Sequence, residues 1–140
     1  MEENKVKGLE VCQKIKILQI WDFKEINFQI ISKLSGLNEL DIRTGSIKTA
    51  EGLEPLSAIE KILFGNCRSL RFIKQINNKI NLKSLHIESC SQIEDYDCLN
   101  NLPGLETLSL INCKKIKSIK LIKEIPSLKK LVILWVTQIF

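Results

Sequence analysis

The feature that most constrains this chain is a spacing that recurs along it. From Leu82 to Ile93 the residues read Leu82-x-x-Leu85-x-Ile87-x-x-Cys90-x-x-Ile93. A shift of 23 residues lands on Leu105, Leu108, Leu110, Cys113 and Ile116, and a second shift of 23 on Leu128, Leu131, Ile133, Val136 and Ile139. A step of 23 backwards gives Ile59, Ile62, Phe64, Cys67 and Leu70. Two further steps of 22 give Leu37, Leu40, Ile42 and Gly45, then Ile15, Leu18, Ile20, Phe23 and Ile26. A unit this short cannot bury its apolar face alone, so six in-register copies must stack and share one core.

The segment Leu-x-x-Leu-x-Leu ending in Asn or Cys resembles the leucine-rich repeat family, with the Cys form at Cys67, Cys90 and Cys113. The resemblance covers about 6–140 and implies an α/β solenoid. Its parts would be a single curved parallel sheet of about six short strands and short helical or 3₁₀ turns on the convex side. The return segments agree, because they carry apolar residues every third position, as in Ile116, Ile119, Ile122 and Ile125. That period is shorter than the 3.6 of an α-helix.

One domain over 1–140 is expected, with 15–140 forming the six repeats and 1–14 a cap-like partial repeat. Val6, Leu9 and Cys12 match Phe28, Ile31 and Leu34 at a distance of 22, and Gly8-Leu9-Glu10 reappears as Gly52-Leu53-Glu54.

A hydrophobic content of 44% with 26% charged residues is ordinary for a soluble chain of 140 residues. The acidic, polar opening lacks the basic start and apolar run of a signal peptide, and no apolar stretch is long enough to span a bilayer. Five cysteines, an odd number, and the lack of any Asn-x-Ser/Thr sequon point to a reducing, cytoplasmic setting. The resemblance agrees, since this repeat form looks like that of intracellular members.

Catalytic constellations are absent: there is a single histidine, His86, and no Gly-rich phosphate loop. No metal site or cofactor is expected, because cysteines 23 apart do not make a zinc pattern. Cys67, Cys90 and Cys113 read instead as buried small apolar residues whose thiols donate weakly to loop carbonyls. Glu94, Asp95 and Asp97 read as a solvated loop rather than a cation site.

The candidate surface is the outward face of the strands, since strand side chains alternate. Its central column runs Gln19, Asp41, Leu63, His86, Ser109, Val132, and the next runs Trp21, Arg43, Gly65, Glu88, Ile111, Leu134. A third column, Ile17, Glu39, Lys61, Ser84, Thr107, Lys130, lies beside Lys16, Asn38, Glu60, Lys83, Glu106, Lys129, whose signs largely alternate as in a solubilising ladder.

Large apolar residues in the first two columns mark an interface. The partner-binding residues expected are therefore Trp21, Arg43, Leu63, His86, Glu88, Ile111, Val132, Leu134 and Trp135. Six strands about 4.8 Å apart give a face of only roughly 300 Å². A standard interface takes about 800 Å² per partner, so the rims or a larger assembly must contribute. The apolar run at 131–136 precedes the end of the sequence, and that strand edge is expected to be covered by a partner or by a second copy of the chain.

Function is thus read as a non-catalytic protein–protein interaction module with a protein partner. The alternative is polyanion or nucleic-acid binding through Lys114, Lys115, Lys117, Lys120, Lys123, Lys129 and Lys130, which leave the rest of the chain about neutral. That alternative is disfavoured, because the lysines interleave with isoleucines as the outer side of a repeat would.

Overall fold

In the computed structural model, residues 6–122 and 125–135 are described. Six strands, β1 (Ile17–Phe23), β2 (Glu39–Gly45), β3 (Lys61–Gly65), β4 (Ser84–Glu88), β5 (Thr107–Ile111) and β6 (Lys130–Leu134), form one sheet in sequence order. Every pairing is parallel. The register is the one the repeat spacing sets: Leu18, Leu40, Ile62, Leu85, Leu108 and Leu131 line one row, and Ile20, Ile42, Phe64, Ile87, Leu110 and Ile133 the next. Each repeat enters the sheet through the same device, in which two successive N–H groups donate to one carbonyl of the preceding repeat. Lys83 and Ser84 donate to Glu60, Glu106 and Thr107 to Lys83, and Lys129 and Lys130 to Glu106.

The chain returns through 3₁₀ turns at Leu9–Val11, Gln29–Ile31, Lys74–Ile76, Asp97–Asn101 and Ile119–Ile122. Between β2 and β3 a parallel bridge from Thr49 to Phe72 stands in place of such a turn. Between sheet and turns lies a continuous apolar core that includes Leu40, Ile62, Leu85 and Leu108 on the strand side and Ile31, Leu53, Ile76 and Leu99 on the return side.

At the row that follows the strands, Phe23 gives way to Gly45 and then to Cys67, Cys90 and Cys113. Gly45 and Ala50 leave room in the second repeat, and Phe28 fills it, its ring 5.6 Å from Phe23 and 5.9 Å from Phe64. Beyond that point the thiols take over. Cys90 Sγ donates to the carbonyls of Phe64 and Glu88 at 3.6 and 3.4 Å, and Cys67 and Cys113 make the equivalent pairs. The residue before each of these five positions, Asp22, Thr44, Asn66, Ser89 or Asn112, is left-handed, with φ between 53 and 62°. Asn and Asp tolerate that conformation best after glycine, and the β-branched Thr44 is the strained member of the row.

Three core assignments change. Ile26, aligned with the buried Leu70 and Ile93, is exposed, because β1 and β2 run for seven residues rather than five and the chain turns inward later, at Phe28 and Ile47. Cys12, aligned with the buried Leu34, is exposed in the first layer, where nothing described lies outside it. Leu131, placed in the core, is 43% exposed because no described layer lies beyond β6. Val136, its companion in that assignment, falls outside the described residues.

Candidate functional site

The outward columns stand where strand alternation puts them, and the sheet register brings them side by side. At the β1 end Trp21 is 72% exposed, and the guanidinium carbon of Arg43 lies 5.9 Å from its ring centroid. Arg43 is held from its own strand, Nε lying 3.0 Å from Asp41 Oδ1, while Gln19 Nε2 donates to the other carboxylate oxygen at 3.3 Å. Asp41 and Gln19 were not among the candidate residues. The signal that could have found them is geometric: residues i and i+2 of one strand share a face, and Gln19 and Asp41 are register partners.

Ile17, Gln19, Glu39, Arg43, Lys61 and Leu63 border a shallow depression of about 260 Å³ over β1 to β3. Gly65 follows Arg43 in its column and is buried, with Arg43 Cδ and Leu63 Cδ2 lying 3.4 and 3.6 Å from where a Cβ would stand. On the next strand His86 Nε2 lies 3.2 Å from Glu88 Oε2. The β5 and β6 end is apolar. Ile111 and Val132 are half-buried, Leu134 and Trp135 are about half exposed, and Ser109 is buried between its neighbours. The nine candidates therefore fall into three groups: Trp21 with Arg43, then Leu63 with His86 and Glu88, then Ile111 with Val132, Leu134 and Trp135.

The neighbouring rim behaves as a charge ladder, Lys83 Nζ lying 3.3 Å from Glu60 and Lys129 3.2 Å from Glu106. Among the lysines of 114–130, Lys114, Lys117, Lys120 and Lys130 are exposed. Lys115 is engaged with Glu94 Oε1 at 2.6 Å and Gln92 Oε1 at 3.4 Å. That hydrogen bond and charge hold the Glu94 carboxyl below its ordinary range, with Lys117 and Arg71 helping. Lys123 lies outside the described residues. Of the other acidic residues in that loop, Asp95 accepts from the Asp97 N–H at 2.9 Å, just ahead of the 3₁₀ turn. Among the described residues no group of three metal-ligating side chains occurs.

Three of the four buried thiols, Cys90, Cys98 and Cys113, are unsuited to nucleophilic chemistry, while the hydrogen bond with Cys90 draws that of Cys67 down. Burial pushes Cys98 up to about 12, with Asp95 and Asp97 adding to it, and pushes Cys113 up to about 11. Cys90, hydrogen-bonded to the free thiol of its neighbour Cys67 and buried, is raised as well. The thiolate is the reactive form, so these raised groups stay inert near neutral pH.

No protein-family model matches the sequence, and no curated protein does. Among solved structures, the chain is similar to the internalin InlF of Listeria monocytogenes, with a TM-score of 0.60 at 18% identity over 94% of this chain. The match spans 45% of that protein's length. Internalin C2 of the same organism is also found, with a TM-score of 0.31 at 12% identity over 85% of this chain and 80% of that one. The fold is a leucine-rich-repeat solenoid. Six parallel strands at the 22 to 23-residue period, with 3₁₀ returns and the InlF likeness, establish it.

Proposed function

We propose that this chain is a non-catalytic protein-interaction module that engages a protein partner through the concave face of its sheet and the C-terminal edge strand. The observation that carries this reading is the exposure of Trp21 on a face where Arg43 is already oriented by Asp41 and Gln19. Aromatic and arginine anchors dominate binding energy at interfaces, and a side chain held in place before binding loses less entropy on association. The chemistry also supports it, because the buried thiols of Cys90, Cys98 and Cys113 are raised and His86 is paired with a carboxylate rather than with a nucleophile. A cytoplasmic setting belongs to the same proposal.

The test is a pull-down with the intact chain followed by titration of the protein retained. Trp21→Ala and Leu63→Lys should each weaken that complex at least tenfold with the circular dichroism unchanged. Lys117→Glu should leave it as it was. A complex indifferent to Trp21 and Leu63 would remove the concave face from the reading.

A second reading rests on the exposure of Lys114, Lys117 and Lys120 outside the strands, with Lys129 and Lys130 at the start of β6: a polyanion site over 114–130. Its signature is an affinity that falls steeply with salt, as each neutralised phosphate releases counterions. Weak heparin retention lost by physiological salt is the expected result, and a sub-micromolar complex at that salt would promote this reading over the first.

A further inference from the structure

The order of chemistry along one column of the face is asymmetric: Trp21, Arg43, Gly65, Glu88, Ile111, Leu134. Arg43 uses Nε for Asp41, and among the described residues its two terminal nitrogens make no hydrogen bond, so its outer side is free to receive an anion. Glu88 stands two strands further on; His86 Nε2 lies 3.2 Å from its Oε2, and its other oxygen can receive a cation. Ile111 and Leu134 then continue as an apolar shelf. We infer that the face takes an amphipathic helix lying across the strands, with an acidic residue on Arg43, a basic residue on Glu88, and aliphatic residues on Ile111 and Leu134. This rests on the proposed use of the concave face and adds the chemistry and conformation of the segment that binds there.

Spacing argues for a helix rather than an extended segment. Adjacent strands lie about 4.8 Å apart, which puts Arg43 and Glu88 about 9.6 Å apart, Ile111 about 14 Å from Arg43 and Leu134 about 19 Å. A helix advances about 5.4 Å per turn, so residues seven, ten or eleven, and fourteen positions along one stripe fall at about 10.5, 16 and 21 Å. The mismatch grows to only about 2 Å at the far end, within the reach of flexible side chains. An extended segment repeats one face every 6.7 Å or so, and the partner residue for Glu88 would then fall midway between two same-face positions. Gly65 lies buried between Arg43 and Glu88 in this column, the Arg43 and Leu63 side chains lying over it, so the intervening turn of the helix would rest on Leu63.

The experiment is selection of a displayed library of 20-residue random peptides on the intact chain. The enriched peptides are then synthesised and titrated by fluorescence polarisation. Enriched sequences should carry an acidic and a basic residue seven positions apart, with aliphatic residues three or four and seven positions beyond the basic one, in either chain direction. They should become helical on binding and lose at least tenfold in affinity to Arg43→Gln and to Glu88→Gln. Selection on the double variant Arg43→Glu, Glu88→Arg should enrich the inverted charge order. Peptides that bind with Leu63→Lys sensitivity but without the charge order, or with extended spacing, would overturn this inference while leaving the concave face in use. Peptides insensitive to Leu63→Lys, or no enrichment at all, would count against both.

Discussion

Lys79 stands at the register position where Leu34, Leu56 and Leu102 are buried, and it is buried too. Its amine reaches back into the preceding repeat and donates to the carbonyls of Leu53 and Leu56 at 2.6 and 3.1 Å. Each of these carbonyls also accepts a backbone N–H, Leu53's from Leu56 at 3.0 Å and Leu56's from Ile59 at 3.4 Å, and Lys79 adds a second donor to both. Lys79→Ala removes both of these bonds and opens a cavity, so it should cost on the order of 1–3 kcal/mol in urea unfolding. Burial lowers the amine's pKa from 10.5, with Glu54 partly opposing it. The unfolded chain then holds the proton to higher pH than the folded one, so stability from this group rises as pH climbs through the window below 10.5. Against Lys79→Met, the native chain should gain melting temperature on going from neutral pH toward 10.5; a constant difference would mean that the amine is not desolvated.

Thiol reactivity reads the same packing. Cys12 is the exposed cysteine, and Cys67, Cys90, Cys98 and Cys113 are buried. A thiol reagent should therefore label one group rapidly in the native chain and the remaining four only on unfolding. Cys90→Ala should cost about 1 kcal/mol or more through the cavity it leaves. Cys90→Ser should cost more than that, because its hydroxyl seeks partners in an apolar layer.

At the scale of the repeat, the two Gly-Leu-Glu copies are built alike. Gly8 and Gly52 have φ of 92 and 98°, and each donates its N–H to the glutamate two residues on, at 3.1 Å to Glu10 and 2.7 Å to Glu54. The first described segment thus has the backbone of a repeat's return, and its 3₁₀ turn stacks on that of the next repeat. The copies differ in surroundings, which makes them a controlled pair. A Cβ on Gly8 would meet nothing within 4 Å, whereas one on Gly52 would lie 2.4 Å from the Phe28 carbonyl carbon. Gly8→Ala should cost only the backbone term, about 1 kcal/mol, and Gly52→Ala clearly more, as read from paired thermal melts.

Legibility followed the same division. Strand register was readable because apolar residues alternate in each copy and a one-residue slip would turn every side chain over, and the 3₁₀ returns because apolar residues recur at three. The left-handed row was hidden, since Asp22, Thr44, Asn66, Ser89 and Asn112 look like any polar loop in sequence. Lys79 was hidden because a lysine reads as solvated unless the carbonyls beneath it are known. Of the surface, the columns were legible but not what holds Arg43, which depends on two side chains meeting across strands.

Across the whole molecule the outward face runs from aromatic and charged at β1 to apolar at β6, and the apolar end coincides with the last described strand. Leu131, Leu134 and Trp135 are each exposed by more than four-tenths, and among the described residues no strand pairs with the outer edge of β6. Unpaired strand N–H and C=O groups beside apolar side chains favour association. Coverage of this edge by a partner or by a second copy is part of the proposed function, and it is open to a direct check. Leu134 and Trp135 lie outside the core cluster, so replacing them with Lys and Ser respectively should shift stability by no more than about 0.5 kcal/mol. The same double variant should lower the apparent mass in sedimentation or abolish capture of the partner. If it unfolds instead, these side chains are core and the outward assignment of the β6 end is wrong. If it folds and neither mass nor capture changes, the edge is not the interface, and binding must rest on the face from Trp21 to Ile111.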